Sequence, residues 1–232
     1  MEKILIGNKI SKSYGKKSVL SEVDINVYKG EVYGLLGKNG EGKTTLLKII
    51  SNCIPKSKYS GNLELNTSKS IGSVIDTPAC FLDLSVLENL KLYNLIESDK
   101  TTNKMKEVIE KFDLTDFLNK KAKDLSLGML QRVRLALAFI SDADLIVLDE
   151  PFNGLDLETV LSLREEITRF SKTDKKTIII TSHNTEQLEK LCDRYGILNK
   201  GKLIEFSKEE QVENGSLETV YIKILRGEQS WQ

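Results

Sequence analysis

Gly37-Lys38-Asn39-Gly40-Glu41-Gly42-Lys43-Thr44-Thr45 fits the spacing G-x-x-x-x-G-K-[ST] of a phosphate-binding loop. Its flanks suit that reading. The apolar run Glu31-Val32-Tyr33-Gly34-Leu35-Leu36 before it reads as a buried strand, and Leu46-Leu47-Lys48-Ile49-Ile50 after it reads as the first turns of a helix. Glycines let backbone N–H groups turn inward around phosphate oxygens, because no side chain blocks the approach. A helix N-terminus adds unpaired donors and partial positive charge. In such a loop Lys43 reaches the β- and γ-phosphates, and the Thr44 hydroxyl ligates Mg²⁺.

Working outward, the chain reads as α/β. Ile4 to Val27 alternates as two or three strands, and Lys29-Gly30 turns into the strand before the loop. Tyr14 lies on this segment, either as an adenine-stacking ring or as an ordinary strand tyrosine. The first helix stops near Ser51 to Pro55. Gly61 to Leu65 and Ser70 to Ile75 read as short strands. From about 79 to 140, apolar residues recur at helical spacing, as in Val86, Leu87, Leu90 and Tyr93, which marks a helical insertion. Leu145-Ile146-Val147-Leu148 and Thr177-Ile178-Ile179-Ile180-Thr181 read as strands buried on both faces, as in a parallel sheet. Leu157 to Phe170 and Glu186 to Leu191 are helical, and Asn199-Lys200-Gly201 turns a hairpin. The tail from Ser207 reads as one helix and one strand, Val220 to Leu225. The expectation is a single domain over 1–232, with a helical subdomain over about 79–140 and a C-terminal extension over about 207–232.

The totals exclude several classes. The 34 basic and 34 acidic side chains balance, so no global field favours nucleic acid or an anionic membrane. Cys53, Cys80 and Cys192 match neither a zinc site nor a disulfide framework, and they suit a reducing compartment. The run Ile4-Leu5-Ile6 is too short for a signal peptide, and no stretch approaches the ~18–20 apolar residues of a membrane helix. A membrane role would therefore come through a partner.

Chemistry concentrates at two more places. Asp149-Glu150 closes an apolar strand, where one carboxylate suits the Mg²⁺ shell and a carboxylate beside it can polarise water. In Leu125-Ser126-Leu127-Gly128-Met129-Leu130-Gln131-Arg132, Ser126 and Gly128 open an amphipathic helix, either as a plain N-cap or as an anion contact.

Together these elements resemble the nucleotide-binding subunit of an ATP-binding-cassette (ABC) transporter. The loop at Lys43 resembles Walker A, and Leu145 to Asp149 resembles Walker B with Glu150 in the catalytic-base position. Leu125 to Gln131 resembles the LSGGQ signature, Gly154-Leu155-Asp156 the D-loop, and His183 the switch histidine. Tyr14 falls at the adenine-stacking position. The resemblance implies an ABC-type P-loop NTPase core with a mixed sheet, an antiparallel β subdomain and an α-helical subdomain. It implies ATP and Mg²⁺ as ligands, with ATP contacted from Tyr14, from Gly37 through Thr45, and from Ser126, Gly128 and Met129. It also implies Thr44 and Asp149 at the metal, and Lys43, Glu150 and His183 in catalysis.

Two departures stand out. The signature reads LSLGM, with Leu127 in place of a glycine and Met129 in place of a glutamine. In Ile71 to Pro78, which resembles the Q-loop, Asp76 replaces the glutamine. It either ligates Mg²⁺ or tunes coupling without touching the metal. Both departures resemble the branch that exports peptide antibiotics, the bacitracin and lantibiotic-immunity type. The implied assembly is a homodimer clamping ATP, docked on an integral membrane permease at the cytoplasmic face, with no nucleic-acid partner. The alternative is a soluble ABC-type ATPase acting on ribosomes or DNA. One cassette, no heptad run and balanced charge speak against it.

Overall fold

The computed structural model describes residues 2–75, 80–96, 102–141 and 143–228. Asp76 lies outside the described residues. Among them, two sheets form. A three-stranded antiparallel sheet, order β2-β1-β4, is built from β1 (Lys3–Tyr14), β2 (Lys17–Tyr28) and β4 (Ser60–Leu65). A six-stranded mixed sheet has the order β5-β6-β7-β3-β8-β9. Its strands are β3 (Val32–Gly37), β5 (Ile71–Val74), β6 (Leu145–Leu148), β7 (Thr177–Thr181), β8 (Arg194–Asn199) and β9 (Lys202–Ser207). All pairings are parallel except β8 with β9.

The strands of this sheet are apolar on both faces because both faces are covered. Successive side chains alternate. Leu145, Val147, Ile179, Tyr33 and Leu35 point toward the antiparallel sheet and helix α1 (Lys43–Ile50). Ile146, Leu148, Ile178, Ile180, Val32 and Leu36 point toward the opposite layer of helices. That layer contains α4 (Leu127–Ile140), α5 (Leu157–Lys172) and α6 (Thr185–Leu191). The helical insertion supplies α2 (Val86–Ile96) and α3 (Thr102–Lys111) before α4. Aromatic rings fasten it to the core: Phe139 of α4 stacks 4.1 Å from Phe170 of α5 and lies tilted 5.6 Å from Phe112 after α3.

One element departs from expectation. Val220 to Leu225 is not a strand but the body of α8 (Leu217–Arg226), which follows α7 (Lys208–Glu213). The run Val220-Tyr221-Ile222, β-branched and aromatic, suggests extension, yet the caps decide otherwise. Ser216 accepts from the Thr219 N–H, and Gly227 ends the helix at φ 69°. Leu217, Val220 and Ile224 then share one buried face. The N-terminal segment resolves into two long strands joined at Gly15-Lys16.

At the amino edge of the mixed sheet, charged groups tie the two sheets together. Arg194 Nη1 donates to the Asn26 carbonyl at 2.9 Å and lies 3.5 Å from Glu31 Oε1, and its Nη2 lies 3.8 Å from Glu205 Oε1. The Tyr33 hydroxyl donates to Glu205 at 2.9 Å, and the Tyr28 N–H donates to Glu31 at 2.9 Å. Burial pushes the Glu31 carboxyl up to about 7, against the pull of the Tyr28 amide and Arg194.

Candidate nucleotide site

Strand polarity puts the ends of β3, β6 and β7 at one edge, where ligands bind in sheets of this kind. Gly37 ends β3. Gly40 and Gly42 adopt φ 83° and 109°, and a Cβ at Gly42 would meet Val19 Cγ1 at 2.8 Å. Gly42 therefore satisfies both a backbone requirement and a close approach. It sits at the N-cap of α1 without a side-chain cap, so the first amides of that helix are free to receive an acceptor.

Lys43 is only 6% exposed. Its ammonium donates to the Gly37 carbonyl at 2.7 Å and the Lys38 carbonyl at 3.4 Å, and among the described residues no carboxylate pairs with it. A buried cation facing only carbonyls is an anion site. Opposite it, the Thr44 hydroxyl donates to Asp149 Oδ2 at 2.7 Å and the Thr181 hydroxyl to Asp149 Oδ1 at 2.6 Å. The Glu150 N–H donates to Thr181 Oγ1 at 2.8 Å, which pins Glu150 in the left-handed region at φ 49°. His183 Nδ1 lies 3.0 Å from Glu150 Oε2, and its N–H donates to the same oxygen at 3.3 Å. A cavity of about 560 Å³ opens among these groups; Asn39, Gly40, Gly42 through Thr45, Asp149 and Glu150 line it.

The hydroxyl of Thr44 and carboxylate of Asp149 make an all-oxygen donor pair of the kind Mg²⁺ takes. The glycine cradle, uncapped amides and Lys43 fit a polyphosphate.

Other residues named from sequence lie elsewhere. Lys38 and Asn39 also border a smaller cleft with Ser182 and His183. Glu41 turns outward, its Oε2 accepting from the Lys200 N–H at 2.6 Å. Tyr14 is exposed, with the Lys12 ammonium 4.7 Å from its ring centre, and it does not line the cavity. Its hairpin reaches the loop through Val19 instead. Ser126 caps α4 by accepting from the Met129 N–H at 3.3 Å. Neither Ser126, Gly128 nor Met129 faces this cavity. Leu127 and Gln131 of the signature-like stretch and Gly154 of the D-loop-like stretch do, as do Val19, Val74, Arg134 and Asn153, which no sequence motif singled out. The signal for Thr181 was a hydroxyl at the end of a buried strand. For Arg134 it was a charge within the apolar run Val133 to Ile140.

No helix among the described residues is long and apolar enough to cross a membrane. The family model for ABC transporters matches residues 20–153 of the chain. The lantibiotic transport ATP-binding protein SrtF of Streptococcus pyogenes is 36% identical over 202 residues, 84% of this chain and 86% of the relative. The bacitracin transport ATP-binding protein BcrA of Enterococcus faecalis is 32% identical over 214 residues, 88% of this chain and 69% of the relative. The solved structure of an ATP-binding subunit of an ABC transporter superposes with a TM-score of 0.85 at 24% identity, over 95% of this chain and 99% of that one, and so matches in fold.

Proposed function

The chain belongs to the ABC transporter family as an ATP-binding, ATP-hydrolysing subunit, and from that premise we propose how its residues perform the reaction. Lys43 and the amides at the start of α1 hold the β- and γ-phosphates. Thr44 and Asp149 hold Mg²⁺, which when bound neutralises phosphate charge. Glu150 takes the proton of the attacking water, and His183, hydrogen-bonded to Glu150, orients that carboxylate and reaches the γ-phosphate. Thr181 keeps Asp149 and Glu150 in register. The observation that carries this reading is the buried Lys43 ammonium facing only carbonyls across a cavity from Asp149 and Glu150. Lys43→Ala should abolish retention of ATP by the purified chain; unchanged retention would overturn it.

Ser126 is exposed, and neither it nor Gly128 nor Met129 lines the cavity of its own chain, which supports a composite site. In a homodimer these groups cap the nucleotide held by the partner's phosphate loop, around a two-fold axis. Tyr14 stacks on the adenine as the hairpin closes over it. Glu150→Gln should trap this dimer with ATP, and gel filtration showing only monomer would count against it. The dimer drives an integral membrane permease from the cytoplasmic face. The named relatives transport bacitracin and a lantibiotic, which supports a peptide antibiotic as the exported substrate and speaks for the transporter over a ribosome- or DNA-acting ATPase. Co-purification with the permease, followed by ATPase assay with and without such peptides, tests the pairing. Asp76 supports hydrolysis in this scheme; an Asp76→Ala variant with intact ATPase and transport would remove it.

A further inference from the structure

Arg134 sits on the third turn of α4, between buried Val133 and Leu135, and it is one of the residues lining the cavity that holds Lys43, Thr44, Asp149 and Glu150. Its Nε is buried and has no hydrogen-bond partner. Among the described residues no carboxylate pairs with the guanidinium. The guanidinium does hydrogen-bond the Cys80 thiol; burial raises that thiol, and Arg134 opposes the rise without overcoming it. The neighbouring Arg132 differs: it is paired with Asp113 at 3.3 Å and donates to Thr159 at 3.1 Å. A guanidinium is a permanent cation with a planar fork of donors matched to phosphate oxygens. A buried donor left without an acceptor costs free energy unless something else supplies one. The cavity in front of Arg134 is the phosphate-binding chamber.

We propose that Arg134 is a further catalytic residue: its guanidinium binds the terminal phosphate of the nucleotide held by the same chain's phosphate loop. This rests on the ATPase reading above. In the reaction the water oxygen bonds to the γ-phosphorus and the bond to the β–γ bridging oxygen breaks. That oxygen leaves with its electron pair on ADP, and the water proton passes to Glu150. Arg134 transfers no proton. It holds charge on the γ-phosphoryl oxygens as that group moves, the role an arginine supplied in cis plays in other phosphoryl-transfer sites.

The test uses the full chain with Mg²⁺. Arg134→Gln should lower kcat by roughly a hundredfold or more while KM for ATP changes less than about threefold. Trapping of ADP with aluminium fluoride should be lost while ADP affinity stays the same. Arg134→Lys should recover part of both, and it carries the test if Arg134→Gln does not fold. Turnover and fluoride trapping within about twofold of the parent chain would overturn the proposal. So would the pattern expected if Arg134 serves only to pair with Asp76, in which Arg134→Gln and Asp76→Asn each lower the unfolding midpoint, the double variant lowers it no further, and trapping persists. A parent chain that neither binds nor hydrolyses ATP would instead remove the ATPase reading itself.

Discussion

At the carboxyl edge of the mixed sheet, Lys43, Arg134, Asp149 and Glu150 face a cavity; at the amino edge, Arg194, Glu31, Glu205 and Tyr33 face one another. The two regions use the same chemistry. The amino edge spends it on closing bonds: Arg194 alone spans the Asn26 carbonyl and two carboxylates, and it lies 4.9 Å from the centre of the Tyr28 ring. The carboxyl edge leaves donors unmatched, as at the buried Arg134 Nε and the uncapped start of α1. A closed network stabilises the fold. An open one reserves its interactions for a ligand, and the fold gains little from it.

Substitutions sharpen this contrast. The largest effect is expected for Glu150→Gln, which should lower ATP turnover by about 10²–10⁴-fold with the urea midpoint almost unmoved. Arg194→Ala should do the reverse. It leaves Glu31 and Glu205 buried without their cation and should cost about 3–5 kcal/mol in urea unfolding, with turnover per folded molecule unchanged. Equal effects of both variants on both readouts would erase the distinction between the edges. Thr181→Val belongs to both classes, because its hydroxyl serves Asp149 and the Glu150 amide. It should cost about 1–3 kcal/mol and also lower turnover.

A last effect is a pH dependence at the closed edge. The folded Glu31 carboxyl keeps its proton up to about pH 7, whereas the unfolded one releases it near 4.5. The unfolded state therefore binds fewer protons across that window, and stability falls as pH rises through it. Glu31→Gln removes this loss, so its thermal midpoint should gain on the parent chain by a few degrees between pH 5 and pH 8. A midpoint difference that stays flat with pH would show that Glu31 titrates normally.

Much of the phosphate loop was legible because its chemistry is local: the glycines, Lys43 and Thr44 follow each other in the chain. The buried strands were legible from unbroken apolar runs such as Ile178-Ile179-Ile180. Thr181 was not, because its role depends on β7 lying between β6 and β3, a strand order no local pattern carries. Arg134 and Val19 escaped for the same reason. They reach the cavity from a helix and a strand far away in sequence. In α8 the β-branched and aromatic run spoke for a strand, while Ser216 and Gly227 fixed the helix. Capping outweighed local propensity there.

Gly154 lies so close to the start of α4 that a Cβ on it would come within 2.4 Å of Leu127 Cδ2. Gln131 Nε2 donates to the Pro151 carbonyl at 3.1 Å. The turn after Glu150 and the head of α4 are thus joined by an apolar contact and a polar one, with little play between them. In the proposed pair of subunits, Glu150 works on one nucleotide while the head of α4 covers the other. In that pair, a displacement of either would be passed across this joint, which would tie the two catalytic centres to each other.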